Sequence, residues 1–80
     1  MRIFVSNLPM RMSEQDVEKM FANYGRVGSV NLESAGGDKF GYVDMPARDQ
    51  AMNAIQAIDG LPLDGKNVIA YEASSERMPT

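Results

Sequence analysis

The fold class follows from two short segments, Ile3-Phe4-Val5-Ser6-Asn7-Leu8 and Asp38-Lys39-Phe40-Gly41-Tyr42-Val43-Asp44-Met45. Both alternate apolar and other residues in the manner of β-strands, in which successive side chains point to opposite faces of a sheet. With the aliphatic residues turned toward a core, Phe4 faces outward in the first segment, and Phe40 and Tyr42 face outward in the second. The sequence therefore predicts two strands that display aromatic rings on an open face.

A helix is predicted after the first strand. Ser13 is a typical helix N-cap, and acidic residues follow it in the first turn. Apolar side chains then recur at intervals of three and four residues, which gives one apolar stripe. These are Val17, Met20, Phe21 and Tyr24. We expect the helix to run to about Tyr24, with Gly25 as its stop.

Two more strands and a second helix complete the pattern. Apolar residues between Val27 and Leu32 predict a second strand, and Gly36-Gly37 then forms a short hairpin loop to the third. Apolar spacing after Pro46 predicts a helix that ends at Asp59-Gly60, and residues 68–73 predict the last strand.

The resulting order, βαββαβ, is that of the α+β ferredoxin-like sandwich, a four-stranded antiparallel sheet with two helices on one face. Eighty residues suffice for one small core. We expect one domain over residues 1–73 and a flexible tail over residues 74–80, where no pattern is visible.

Composition excludes several functions. Cysteine and histidine are absent, which removes disulfides, thiol chemistry and most transition-metal sites. No segment has the length and hydropathy of a secretory signal or a membrane span. We therefore expect a cytoplasmic protein without metal or cofactor and without a membrane partner. We also expect a monomer.

The two aromatic segments resemble those of the RNA recognition motif family. Ile3 to Leu8 fits the family's apolar-aromatic-apolar-any-Asn-Leu pattern at every position. In the second segment Phe40 and Tyr42 match the family's aromatic positions. The first two positions differ, because Asp38 and Lys39 stand where the family has a basic residue and glycine. The last position differs as well, because Met45 stands where the family has an aromatic residue. The chain resembles the small bacterial members of the family, which have a single domain. A fragment of a larger protein is the alternative.

The resemblance implies an RNA-binding site on the open face, because sheet aromatics of this family stack two or three bases. Single-stranded RNA is the expected ligand, with single-stranded DNA as an alternative, and binding should be weak and of modest sequence specificity. The candidate stacking residues are Phe4, Phe40 and Tyr42. Tyr71 and Asn31 would extend the site, although plain β-propensity and solvation explain them equally well or better. Arg2 and Lys39 are the candidate phosphate contacts.

The charge balance is unusual for such a ligand, because the formal net charge is −3 and the eight cations are scattered. At the start of the third strand an acid, Asp38, aligns with the family's basic residue. Lys39 substitutes for it only if the strand entry shifts by one residue. Gly36-Gly37 can absorb such a shift, so the sequence leaves this register open.

Catalysis and protein binding are two other functions that occur on this fold. Catalysis is not expected, since histidine is absent and the acids are spread over helix ends and loops. A protein-interaction module of the same fold is the serious alternative, and the negative charge favours it. Against it, relatives that bind peptides carry an Arg-any-Phe signature before the last strand, where this chain has Leu63-Asp64-Gly65-Lys66.

Overall fold

The computed structural model describes residues 1–73. The tail predicted for residues 74–80 lies outside the described residues. Strands and helices follow in the order β1 Arg2–Leu8, α1 Glu14–Ala22, β2 Ser29–Ala35, β3 Asp38–Asp44, α2 Arg48–Ile58, β4 Pro62–Leu63, β5 Lys66–Asn67 and β6 Ile69–Glu72.

Four of these strands form one antiparallel sheet in the order β2-β3-β1-β6, and β4 and β5 form a separate small hairpin. The predicted ferredoxin-like arrangement is confirmed. The register pairs Phe4 with Tyr42 across β1 and β3, and Val5 with Gly41. Side chains of paired residues lie on the same face, so one face collects the aromatic rings and the other the aliphatic residues.

The core lies between the aliphatic face of the sheet and the two helices. Its buried apolar side chains are Ile3, Val5, Leu8, Met12, Val17, Phe21, Val43, Met45, Ala51, Ala54, Ile58, Val68 and Ala70. Within residues 1–73 no polar or charged residue is buried. Within residues 1–73 no helix covers the opposite face of the sheet.

Helix α1 begins as predicted. The Ser13 hydroxyl accepts a hydrogen bond from the Asp16 amide at 3.1 Å, and the Asp16 carboxylate accepts one from the Ser13 amide at 3.0 Å. This reciprocal capping box satisfies two amide donors that a helix start leaves unpaired. The helix ends at Ala22, two residues before the predicted end, and Tyr24 is therefore exposed and outside the apolar stripe.

Both short hairpin loops have left-handed backbones. Gly36 and Gly37 have φ of 61° and 89°, which fits a two-residue loop between β2 and β3. Asp64 and Gly65, with φ of 52° and 80°, join β4 to β5 in the same way. The sequence predicts only a turn there, because strands of two residues are too short to give a periodic pattern. The last strand begins at Ile69, one residue after its predicted start.

Candidate nucleic-acid interface

Three of the predicted site residues meet at the centre of the open face. The ring of Phe4 on β1 lies 5.5 Å from the ring of Tyr42, centre to centre, in an edge-to-face arrangement, and 6.5 Å from the ring of Phe40. These separations are typical of interacting aromatic pairs. The alternation of β1 and β3, together with the pairing of Phe4 with Tyr42, is what brings the rings together.

A fourth ring completes the cluster. Tyr71 on β6 is paired with Phe4, and their ring centres lie 5.2 Å apart. We call Phe4, Phe40, Tyr42 and Tyr71 the platform. Phe4 lies at its centre and touches the other three rings, while Tyr42 and Tyr71 remain 42% and 52% exposed. A contiguous exposed patch of aromatic side chains on a small protein is typical of a ligand-binding or interaction surface.

Arg2 and Asn31 border the platform on the side of Tyr42. The Arg2 guanidinium carbon lies 5.4 Å from the centre of the Tyr42 ring, within the range of a cation–π interaction. Asn31 on β2 is paired with Tyr42 and is exposed on the same face. Both are therefore placed where the sequence suggested.

Lys39 is not placed at the platform. It shares the helix-side face of β3 with Gly41 and Val43, and its ammonium group donates to the backbone carbonyl of Met12. The β2–β3 register pairs Ala35 with Asp38 directly, so the strand entry does not shift by the residue that Lys39 would need. The predicted position of Lys39 beside the aromatic rings is therefore wrong, and its role as a phosphate contact stays an untested prediction.

The cation at that end of the open face is Lys66, which the sequence does not single out as a site residue. Its ammonium group lies 2.5 Å from the Asp38 carboxylate, 28 residues away along the chain. The ion pair joins β5 to the start of β3, beside Phe40. No signal in the local sequence could have revealed it, since the contact exists only after the β4–β5 hairpin has docked.

The hairpin is held at the end of β1 by two further contacts. The pairing of β1 with β3 is irregular between Val5 and Leu8, where Asn7 adopts a φ of 60° and its side-chain amide donates to the Asn67 carbonyl at 2.8 Å. Such irregularities re-aim the chain at a strand end. Arg11 donates two hydrogen bonds to the Asp64 carboxylate, and these hold the pKa of Asp64 below its ordinary value.

A shallow depression lies beside the platform at the other end of β3. It has a volume of about 180 Å³ and is lined by Arg2, Ser29, Asn31, Tyr42 and Asp44. The Met1 ammonium nitrogen lies 3.6 Å from the Asp44 carboxylate, whose side chain is 57% exposed. The lining thus combines the aromatic ring of Tyr42 with hydrogen-bond donors on Arg2 and Asn31 and with the acceptor carboxylate of Asp44.

Residues 1–73 contain no group of three or more acidic side chains that could hold a metal ion. Neither of the helices described has the length and apolar character needed to cross a membrane.

The comparison with known proteins agrees with this geometry. A model of the RNA recognition motif family matches residues 3–69. The crystal structure of the RNA binding protein PG1 superposes with a TM-score of 0.81 at 31% identity, covering 91% of this chain and 93% of that one.

Similar sequences occur as segments of longer proteins. A Caenorhabditis elegans protein named "Probable splicing factor, arginine/serine-rich 3" is 34% identical over 84% of this chain and 26% of its own length. The "28 kDa ribonucleoprotein, chloroplastic" of Spinacia oleracea is 34% identical over 84% of this chain and 30% of its own length. The chain thus spans under a third of these relatives. They are eukaryotic, so the expected resemblance to small bacterial members is not supported.

Proposed function

Because this chain belongs to the RNA recognition motif family, we propose that it binds single-stranded RNA by stacking bases on the platform. One observation carries the proposal. Four aromatic rings form a contiguous layer on the face of the sheet that the helices leave uncovered, with both tyrosines about half exposed. Every base has a π-face, so such a layer accepts bases without demanding a fixed sequence.

Stacking must supply most of the binding free energy, because cations are few on this face. Among residues 1–73, Arg2 and Lys66 are the cations placed beside the platform, and Lys66 is already paired with Asp38. Alanine substitution of a stacking ring typically costs about 1–3 kcal/mol per base. Two or three stacked bases, less the cost of ordering the RNA, correspond to micromolar or weaker binding.

The test is an NMR titration of ¹⁵N-labelled protein with a pool of short single-stranded RNAs at low salt. We expect shifts concentrated in the amides of the platform strands and absent from the helix face. Replacing Tyr42 by alanine should weaken binding by about 1–3 kcal/mol. DNA of the same sequences would show whether the 2′-hydroxyl contributes.

Tyr24→Ala is the matched control. Tyr24 is as exposed as Tyr42, at 38% against 42%, but follows the end of α1 and is not a member of the platform. Its loss should leave RNA affinity unchanged. Equal affinity for wild type and Tyr42→Ala, or no shifts at millimolar RNA, would reject the proposal and favour the protein-interaction alternative.

We also infer that the chain acts as a binding module and not as an enzyme, which is the general character of its family. The complete lack of histidine supports this, as it removes the commonest general base. A monomeric state, the absence of a bound metal and a cytoplasmic location remain hypotheses. Sedimentation analysis, metal analysis of purified protein and microscopy of a tagged chain would test them.

A further inference from the structure

The depression beside Tyr42 has features of a base-reading pocket. Two rows of the sheet contribute to it. Ser29, Asp44 and Arg2 are paired across β2, β3 and β1 in one row, and Asn31 and Tyr42 are paired in the next. All five residues line the same depression of about 180 Å³. It is therefore continuous with the platform and adds polar groups to its edge.

The Asp44 carboxylate in this pocket is available to a ligand. The register places it opposite Arg2, yet the Arg2 guanidinium lies over the Tyr42 ring, and residues 1–73 contain no ion pair between the two. The Met1 ammonium group forms an ion pair with Asp44, but its nitrogen, at 3.6 Å, is beyond ordinary hydrogen-bond distance, and the Asp44 side chain remains 57% exposed. An ionised carboxylate only accepts hydrogen bonds, and it does so at two oxygens.

Geometry limits which part of a base could meet Asp44. A base stacked on Tyr42 lies over β3, and Asp44 follows two residues later on the same face, about 7 Å along the strand. This distance brings the hydrogen-bonding edge of the base over the depression. A base that stacks on Tyr42 displaces the Arg2 guanidinium from the ring face, and this group and Asn31, directly opposite Tyr42, then supply donors on either side of the base.

The hydrogen-bonding edges of the four bases differ in what they offer to a carboxylate. Guanine presents two adjacent donors, N1–H and the 2-amino group, with the O6 acceptor beside them. Adenine and cytosine place a ring-nitrogen acceptor next to their amino group, and uracil places its single N3–H between two carbonyls. A carboxylate repels these acceptors. Guanine is the only one of the four bases whose edge matches the two acceptor oxygens of Asp44 together with the donors of Asn31 and Arg2 beside them.

We propose that this depression is a guanine-selective subsite, in which Asp44 accepts hydrogen bonds from N1–H and the 2-amino group while Arg2 or Asn31 donates to O6. The proposal rests on the proposed function, because it requires a base stacked on Tyr42. It also gives a role to an acid on an RNA-binding face, where a carboxylate would otherwise only repel phosphate.

The experiment measures fluorescence anisotropy of labelled hexauridine and of variants with one guanine, adenine or cytosine at each position. At one position we expect guanine to bind at least tenfold more tightly than the other bases, as is typical of a well-formed bidentate contact. Inosine at that position, which lacks the 2-amino group, should lose much of the gain. Guanine modified by replacement of N7 with carbon should keep it.

Asp44→Asn is the diagnostic variant, because asparagine has one acceptor and one donor where aspartate has two acceptors. It should reduce the guanine preference to less than twofold. Glu33→Gln is the matched control. Glu33 is exposed on the same face, opposite Phe40 and outside the depression, and its loss changes the net charge equally. The guanine preference should persist in this variant. A ¹H–¹⁵N spectrum of each variant verifies that it is folded.

Two results would overturn the subsite while leaving RNA binding intact. One is binding that depends on Tyr42 but shows no base preference. The other is a guanine preference that survives Asp44→Asn, or that disappears on modification at N7 but not with inosine. No binding of any RNA by the wild-type protein would instead reject the proposed function itself.

Discussion

At Gly41 there is no space for a side chain between β3 and the neighbouring strand β2. A Cβ atom built on it would lie 1.9 Å from the carbonyl oxygen of Asn31, in the backbone of the neighbouring strand. The residue is buried on the helix side of the sheet, between the outward-facing Phe40 and Tyr42. Its lack of a side chain thus keeps β2 close to the strand that carries two platform rings.

Gly41→Ala should therefore destabilise the protein. The added methyl group must push β2 away from β3, since the atom it meets is backbone and cannot rotate away, and overpacking of this kind typically costs about 1–3 kcal/mol. Urea denaturation followed by circular dichroism measures the loss. Gly28→Ala is the control, because its Cβ would lie 3.3 Å from the nearest atom and needs only a small adjustment. Equal stability of the two variants would contradict the prediction.

At the scale of elements, the β4–β5 hairpin depends on the irregular end of β1. Asn7 provides both a left-handed backbone, with φ of 60°, and a side-chain hydrogen bond to Asn67. Left-handed residues cost about 1–2 kcal/mol unless they are glycine or a short polar residue such as asparagine. One residue therefore shapes the strand end and holds the hairpin.

The two contributions can be separated by substitution. Asn7→Gly keeps the backbone conformation and loses the hydrogen bond, whereas Asn7→Ala loses both. We expect Asn7→Ala to be less stable than Asn7→Gly by about 1 kcal/mol. Thermal or urea unfolding of both variants measures the difference. If alanine were as stable as glycine at this position, the left-handed conformation would not be what selects asparagine.

The start of α1 makes stability depend on pH. Hydrogen bonds from the Ser13 backbone amide and side chain hold the pKa of Asp16 below its ordinary value of 3.8. Folding therefore favours the ionised form of this carboxyl. The resulting stabilisation is complete above pH 3.8 and is lost as the pH falls from there through the lower pKa of the folded state.

Asp16→Asn should remove this part of the pH dependence, because asparagine does not titrate. We expect the difference in urea midpoint between wild type and Asp16→Asn to be constant from pH 7 to pH 5 and to shrink toward pH 2.5. Ser13→Ala, which removes the hydroxyl of the capping box, should cost about 1 kcal/mol near neutral pH. A difference that stayed constant over the whole range would contradict the assigned role of Asp16.

At the scale of the whole molecule, charge distribution limits how RNA can be held. The net charge is −3, and most of the cationic side chains lie away from the platform. Several of these are paired with other groups. Arg11 pairs with Asp64, Lys39 donates to Met12, and Arg48 lies 4.0 Å from Glu72. Among the cationic side chains that the structure describes, Arg2 and Lys66 border the open face.

RNA affinity should accordingly depend only weakly on salt. With two phosphate contacts at most, and a slope of about −0.7 per contact for single strands, log K should fall with log[salt] at a slope of about −1.4 or less steeply. Arg2→Gln and Lys66→Gln should each reduce the slope by about 0.7. Lys39→Gln should leave it unchanged. Anisotropy titrations between 20 and 200 mM salt measure these slopes, and a slope of −4 would contradict the placement of the cations.

Sequence alone determined the architecture because strand alternation and helix periodicity are local properties. The alternation around Phe4, Phe40 and Tyr42 fixed which face each ring occupies, and Ser13 fixed where α1 begins. The phase of β3 also turns Lys39 away from Phe40. For Lys39, the sequence left open only whether the register shifts by one residue at Gly36-Gly37.

Tertiary structure alone decided how distant parts of the chain meet. Tyr71 joins the platform because β6 pairs with β1, and Lys66 reaches Asp38 because the β4–β5 hairpin docks at the end of the sheet. Asp44 shares a pocket with Asn31 and Arg2 only through the pairing of three strands. Such contacts join residues far apart in the chain, so no local pattern encodes them; the packing of the whole domain sets them.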